Sequence, residues 1–339
     1  MDSLKIIGDN KLRGTIQISG AKNAALPLMA CSLLLDSGEL ILSSMPDLAD
    51  TKSMSLLLYS LGIEVKKNNN ITTLLGEPKS HIATYDIVRK MRASVLVLGP
   101  LLTRCGIAKV SLPGGCSIGT RPVDLHIKAF ELMGAKITLS EGYIEAKAPK
   151  NGLYGAEIIF PIISVGATEN TIMAASLAKG KTTIVNAAKE PEIVDLSNCL
   201  NSMGANITGA GTSTIKIEGV KTLHGCSHKV ISDRIEAGSF AIAAAMTGGE
   251  LELTDCNPTH LSSLSKHLIN SGVNWQNDEN SIKVSSNGVL KPISIKTEEY
   301  PGFPTDLQAQ FMTLMSIANG ESEISETIFE NRFMHVPEL

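Results

Sequence analysis

One cysteine stands among three glycines in Leu112-Pro113-Gly114-Gly115-Cys116-Ser117-Ile118-Gly119-Thr120-Arg121-Pro122-Val123-Asp124-Leu125-His126. Glycines on both sides of a thiol suit a bendable loop that can fold over a ligand. Pro122 fits the first turn of a following helix, which puts Arg121 at a helix start. There the guanidinium and the free backbone N–H groups both favour an anion. The same residues also suit a glycine-rich turn with an incidental thiol, and spacing alone leaves both readings open.

Other charged positions sit at comparable places. Lys22 and Asn23, in Ser19-Gly20-Ala21-Lys22-Asn23-Ala24, precede an apolar run, with Asn23 expected as the helix cap. A lysine there opposes the helix dipole unless an anion lies between, although a solvated lysine in a turn fits equally well. Arg89-Lys90-Met91-Arg92 gathers three cations at another helix start, either for an anion or as a solvent face. Asp306, in Phe303-Pro304-Thr305-Asp306-Leu307, falls in a first turn, where dipole capping is the simplest role. Arg332 opens a last segment, Glu330-Asn331-Arg332-Phe333-Met334-His335.

These positions recur because the chain repeats itself. Four segments end an amphipathic helix in Leu or Met, then Gly, then a short strand. Their glycines, Gly62, Gly134, Gly204 and Gly272, stand 72, 70 and 68 residues apart. Each is expected in the left-handed conformation that closes a helix. A second, more apolar helix is expected before each, over 23–36, 89–105, 167–179, 233–247 and 305–319, with glycines 38, 106, 180, 249 and 320 behind them. Their Ala, Leu and Met content predicts burial. The unit is thus two helices and three or four strands. Five apolar helices but only four amphipathic ones are complete, the fifth beginning within 329–339. Since one repeat cannot bury its apolar face alone, the C-terminus is expected to be cut short, unless the last repeat caps differently.

The bulk properties narrow the classes. With 339 residues, two domains are expected. Thirty Lys+Arg against 34 Asp+Glu, with no long basic run, disfavour nucleic acid. No apolar stretch approaches a bilayer span, the start lacks the core of a signal peptide, and six scattered cysteines without a CxxC pair read as reduced thiols of a cytoplasmic protein. Metal-ligand spacing, a Walker loop and a GxGxxG turn are all missing from the sequence.

Taken together, Gly20 to Pro27, Met91 to Ser94, Pro113 to His126, Ser164 to Glu169, Phe303 to Phe311 and Phe329 to Leu339 resemble the enolpyruvyl transferases. The resemblance covers the whole chain and is strongest to members that use UDP-N-acetylglucosamine as acceptor. The shikimate-pathway member of the same fold is less similar, because it lacks the cysteine loop. The resemblance implies an α/β fold: six repeats in two domains, each an inside-out α/β barrel with helices inside and sheets facing solvent. One domain would span about 22–229, the other 1–21 with 230–339, and substrates would bind in the cleft between them.

The family reaction moves the enolpyruvyl group of phosphoenolpyruvate to the 3′-hydroxyl of UDP-N-acetylglucosamine, releasing phosphate. It is the first committed step of peptidoglycan synthesis and needs no cofactor or metal. By resemblance, Cys116 protonates the methylene carbon and is the residue fosfomycin alkylates, while Asp306 takes the hydroxyl proton. Lys22, Asn23 and Arg121 would hold phosphoenolpyruvate. Arg92, Arg121, Pro122, Val123, Asp124, Leu125, Ser164, Val165, Gly166 and Ile328 would form the nucleotide-sugar surface, with Arg332 in support. Ile162 departs from members that carry a lysine near the diphosphate. An arginine that clamps phosphoenolpyruvate belongs to the family's sixth repeat, so this 339-residue chain is expected to be weakly active or unstable. A non-catalytic nucleotide-sugar-binding paralogue and the shikimate-pathway activity are the competing readings.

Overall fold

The computed structural model describes Lys5 and residues 7–88, 92–112 and 123–339. The described residues fall into two compact units. One runs from Gly20 to Ile231, and the other joins the segment ending at Ser19 to Ser232–Leu339.

The unit from Gly20 to Ile231 carries helices α1 (Lys22–Ala30), α2 (Ala49–Leu61), α3 (Tyr85–Val88), α4 (Leu98–Cys105), α5 (Asp124–Leu132), α6 (Val165–Ala175) and α7 (Pro191–Ser202). Around them stand three four-stranded sheets of one topology, a parallel pair followed by an antiparallel hairpin. In the second sheet Ile82–Ala83 pairs parallel with Ile107–Ser111, and Tyr143–Lys147 and Lys136–Ser140 follow. The third uses Glu157–Ile159, Lys181–Val185, Thr214–Glu218 and Asn206–Thr208 in the same way. In the first, Leu35–Ser43, Ile71–Leu75 and Glu64–Asn68 borrow their parallel neighbour, Leu223–Lys229, from the far end of the unit.

Two of these helices, α1 and α6, are enclosed. Every residue of α1 from Ala24 to Ala30 and of α6 from Ala167 to Ala175 is buried. From Ala24 on, α1 is apolar all round and finds no stable place at a surface, whereas α6 is buried with the polar run Thr168 to Thr171 on it. Each large side chain buried this way contributes about 1.5–3 kcal/mol. The strands alternate, with Leu40, Leu42, Leu74, Val110, Ile144, Ile184 and Ile215 pointing inward.

The other unit has its own core, with Leu253, Leu264, Leu307 and Phe311 among its buried residues. Phe303 and Phe311 meet edge to face there, centroids 5.2 Å apart. Its helices are α8 (Arg234–Met246), α9 (Ser262–Asn270) and α10 (Gln308–Met315). Arg13–Gln17 supplies the parallel strand beside Glu250–Thr254, followed by Ser281–Ser285 and Asn274–Asn277, a fourth sheet of the common topology. Ile295–Lys296 and Ile324–Ser325 form a further parallel pair.

The expected helix-closing glycines take their places: Gly62, Gly134, Gly204 and Gly272 have φ of +108°, +92°, +103° and +99°. Other expectations need correction. The helix expected over 23–36 ends at Ala30, passes through a 3₁₀ turn (Cys31–Leu34), and gives way to strand Leu35–Ser43, so Gly38 lies within a strand. There the pairing with Leu223–Lys229 shifts register. The helix expected over 89–105 is broken. A 3₁₀ segment, Arg92–Val97, precedes α4, where Pro100 has no N–H to continue a ladder to Leu96. At the second unit's Gly pair, Gly248 takes the positive φ (+62°), not Gly249. Residues 330–338 form turns rather than a helix, with Val336 N–H bonded to Phe333 O at 3.0 Å and Pro337 unable to donate.

Candidate functional site

In the unit from Gly20 to Ile231, α1 opens with Lys22 and Asn23. The residue before the helix is Ala21, which has no capping side chain, and Asn23 is exposed one residue inside. Asn23 therefore does not cap the helix as expected. Lys22 Nζ reaches Asp50 Oδ2, in the first turn of α2, at 3.3 Å. Pro27 cannot donate to the carbonyl of Asn23, so the first turn of α1 is less closed than in an ordinary helix. A short helix end with a lysine and an uncapped N-terminus is a place where an anion is stabilised.

Arg92 begins the 3₁₀ segment that leads into α4. Cys116, Arg121 and Pro122 lie outside the described residues, in the stretch joining strand Ile107–Ser111 to α5. Val123 stands before α5, and Asp124 and Leu125 form its first turn, Asp124 exposed and Leu125 buried. Ser164 caps α6, its Oγ accepting from the N–H of Ala167 at 3.3 Å, with Val165 and Gly166 in the first turn. Ile162 is largely exposed just before it.

Three of these starts are tied together by a residue the sequence reasoning passed over. Asn170, fully buried on α6, bonds to Gly99 of α4, to Val95 of the 3₁₀ segment and to His126 of α5. Burial drives the pKa of His126 down to about 4, so the imidazole is neutral. The available signal was the polar run Thr168-Glu169-Asn170-Thr171 inside an otherwise apolar helix.

In the other unit, Asp306 sits in a 3₁₀ turn (Thr305–Leu307) leading into α10. Arg332 pairs with its Oδ1 and donates from Nε to Thr305 Oγ1 at 3.2 Å. Thr305 in turn donates to Glu326 Oε2 at 2.9 Å. The second oxygen of Glu326 accepts from the N–H groups of Ile328 at 2.8 Å and Phe329 at 3.1 Å. Asp306, Arg332 and Ile328 are thus brought into one network, through a threonine and a glutamate that spacing gave no reason to choose. A half-exposed carboxylate held by a guanidinium is fixed in place and reachable by a hydroxyl.

The family model for EPSP synthase (3-phosphoshikimate 1-carboxyvinyltransferase) matches residues 6–339. The chain belongs to this family. Within the EPSP synthase family, a protein of Granulibacter bethesdensis named UDP-N-acetylglucosamine 1-carboxyvinyltransferase is 56% identical over 342 residues, covering 100% of this chain and 81% of that one. A protein of the same name from Rhodospirillum centenum is 55% identical over 351 residues, with the same coverage. Among solved structures, the enolpyruvyl transferase NikO from Streptomyces tendae superposes with a TM-score of 0.86 at 21% identity, over 98% of this chain and 79% of that one. EPSP synthase from Acinetobacter baumannii gives 0.70 at 20% identity, over 94% and 74%. The repeat topology described above is therefore the EPSP synthase fold, the two-domain inside-out α/β architecture.

Proposed function

We propose that this chain transfers the enolpyruvyl group of phosphoenolpyruvate to the 3′-hydroxyl of UDP-N-acetylglucosamine, releasing inorganic phosphate. The observation that carries the reading is identity above one half, along the whole chain, to proteins named for that reaction. It makes the chain a transferase of peptidoglycan synthesis. The described residues include no helix long and apolar enough to cross a membrane, and a phosphorylated metabolite with a nucleotide sugar fits a cytoplasmic enzyme.

The chemistry is addition followed by elimination. In the addition, the 3′-oxygen bonds to C2 of phosphoenolpyruvate, C3 gains a proton, and the hydroxyl proton leaves. Cys116 supplies the proton to C3 and Asp306 accepts that of the hydroxyl. A thiol is a competent donor of a proton to carbon, and a carboxylate anchored by Arg332 can accept one without moving. In the elimination, C3 loses a proton, the C2–O bond to phosphate breaks, and the double bond re-forms. Lys22, Asn23 and Arg121 hold the phosphate and carboxylate of phosphoenolpyruvate. Arg92, Arg121 to Leu125, Ser164 to Gly166 and Ile328 hold the nucleotide sugar. The uncapped start of α1 and the Ser164-capped start of α6 support these assignments, since helix starts favour phosphate.

The test is phosphate release from phosphoenolpyruvate on adding UDP-N-acetylglucosamine, repeated after fosfomycin treatment. Release that needs the sugar nucleotide and stops on alkylation is expected. Release that ignores fosfomycin would remove Cys116 from the mechanism.

A further inference from the structure

The amide of Asn170 can be oriented in only one way. Its Oδ1 lies 2.8 Å from the backbone nitrogen of Gly99, its Nδ2 lies 2.8 Å from the carbonyl oxygen of Val95, and Nδ2 is 3.0 Å from His126 Nδ1. The N–H of Gly99 requires an acceptor, so the amide oxygen faces it. Both hydrogens on Nδ2 then point away, one to Val95 and the other to His126. Nδ1 of His126 must therefore offer a lone pair, and the neutral ring carries its proton on Nε2.

The edge of the ring that bears this proton lies at the start of α6. A Cβ placed on Gly166 would be 3.6 Å from Cε1 and 3.7 Å from Nε2 of His126. The packing around the amide leaves no slack. A Cβ on Gly99 would come within 2.4 Å of Asn170 Oδ1 and 2.6 Å of its backbone oxygen. Only glycine permits that approach.

Each element that Asn170 joins carries a part of the candidate nucleotide-sugar surface. Val95 lies one turn after Arg92, His126 directly follows Val123 to Leu125, and Asn170 follows Ser164 to Gly166 on the same helix. We propose that Asn170 is a positioning residue for the nucleotide-sugar substrate. It locks these three segments together and holds His126 in the Nε2–H tautomer, so that a donor rather than a lone pair faces the first turn of α6. The substrate assignment rests on the function proposed above, whereas the tautomer does not.

Asn170→Asp keeps the shape and reverses the polarity. A carboxylate accepts from Gly99 but has no hydrogen to offer, so His126 must turn an Nδ1–H towards it. Nitrogen NMR of histidine-labelled protein is expected to show the proton of His126 on Nε2 in the unaltered chain and on Nδ1 in N170D. In parallel, KM for UDP-N-acetylglucosamine should rise roughly tenfold, the scale of one buried hydrogen bond lost, with KM for phosphoenolpyruvate and kcat little changed. Gly99→Ala, which pushes on the same amide, should raise the same KM and carries the test if N170D fails to fold. Ser176→Ala removes a different buried bond after α6, Oγ to the Ile172 carbonyl at 2.9 Å. It should lower the melting temperature and leave both KM values alone.

A proton on Nδ1 in the unaltered chain would overturn the proposal. So would an N170D protein whose two KM values shift together or not at all. Should His126 carry its proton on Nε2 while the chain shows no phosphate release dependent on the sugar nucleotide, the substrate role of Asn170 fails with the functional reading, and the tautomer survives.

Discussion

Of the side chains proposed to move protons, Asp306 lies among the described residues. Asp306 is anchored by Arg332, which is fixed in turn by Thr305 and packs 5.5 Å from the Phe329 ring. Replacing Asp306 with Asn keeps the size and removes the acceptor for a proton. It is expected to lower kcat about 10²–10⁴-fold, with binding of UDP-N-acetylglucosamine by calorimetry largely retained. Full activity in D306N would exclude it as the base. Cys116→Asp should keep turnover, because a carboxylic acid can also deliver a proton, while losing alkylation by fosfomycin in a mass measurement. A folded but inactive C116D would count against the thiol as proton donor. Lys22, Asp306 and Arg332 stood out as charges at expected segment starts, and Cys116, outside the described residues, as a thiol among glycines, while their roles came from the family resemblance. Asp50, Glu326 and Asn170 did not stand out. Lys22 meets Asp50 from 28 positions away, and Asn170 meets Val95 from 75, distances that no local pattern encodes.

At the scale of elements, α6 carries an internal conflict. Glu169 is buried within it, and desolvation, followed by the nearby Glu192 and Glu190, raises its pKa well above the usual carboxylate value. A carboxyl whose folded pKa lies above its unfolded one contributes stability in full below the unfolded pKa, and loses it as pH rises towards the folded pKa. Glu169→Gln should therefore raise the melting temperature at neutral pH, and the gain should shrink as pH falls towards the ordinary glutamate range. A gain independent of pH would mean that Glu169 is not protonated in the fold. Helix positions themselves were readable from periodicity and from their glycines. Their lengths were not: α1 passes into a 3₁₀ turn after Ala30, a 3₁₀ segment replaces the first part of the helix expected before Cys105, and residues 330–338 form turns. In strand Leu35–Ser43 the pairing overrides the helix stop expected at Gly38.

For the molecule as a whole, the repeat was visible as a spacing of glycines, and four sheets of identical strand order are its structural form. Hidden from the pattern was where the chain passes between units. Arg13–Gln17 and Leu223–Lys229 each serve as the parallel strand of a sheet whose other strands lie far off in sequence. Sequence-distant pairing of this kind leaves no trace in composition or period. Each unit has its own apolar core, so each is expected to unfold cooperatively. Removing Arg13–Gln17 should expose an edge of the Glu250–Thr254 sheet and destabilise the unit that contains α8 while sparing α1 to α7. Hydrogen exchange would read this as lost protection confined to that unit, and equal loss in both would contradict it.

Acceptor identity separates the two activities of the family. Phosphate released from phosphoenolpyruvate by this chain is measured with UDP-N-acetylglucosamine and, separately, with shikimate 3-phosphate. The expected result is release with the sugar nucleotide that far exceeds release with the shikimate compound. Equal release, or a preference for shikimate 3-phosphate, would show that UDP-N-acetylglucosamine is not the acceptor.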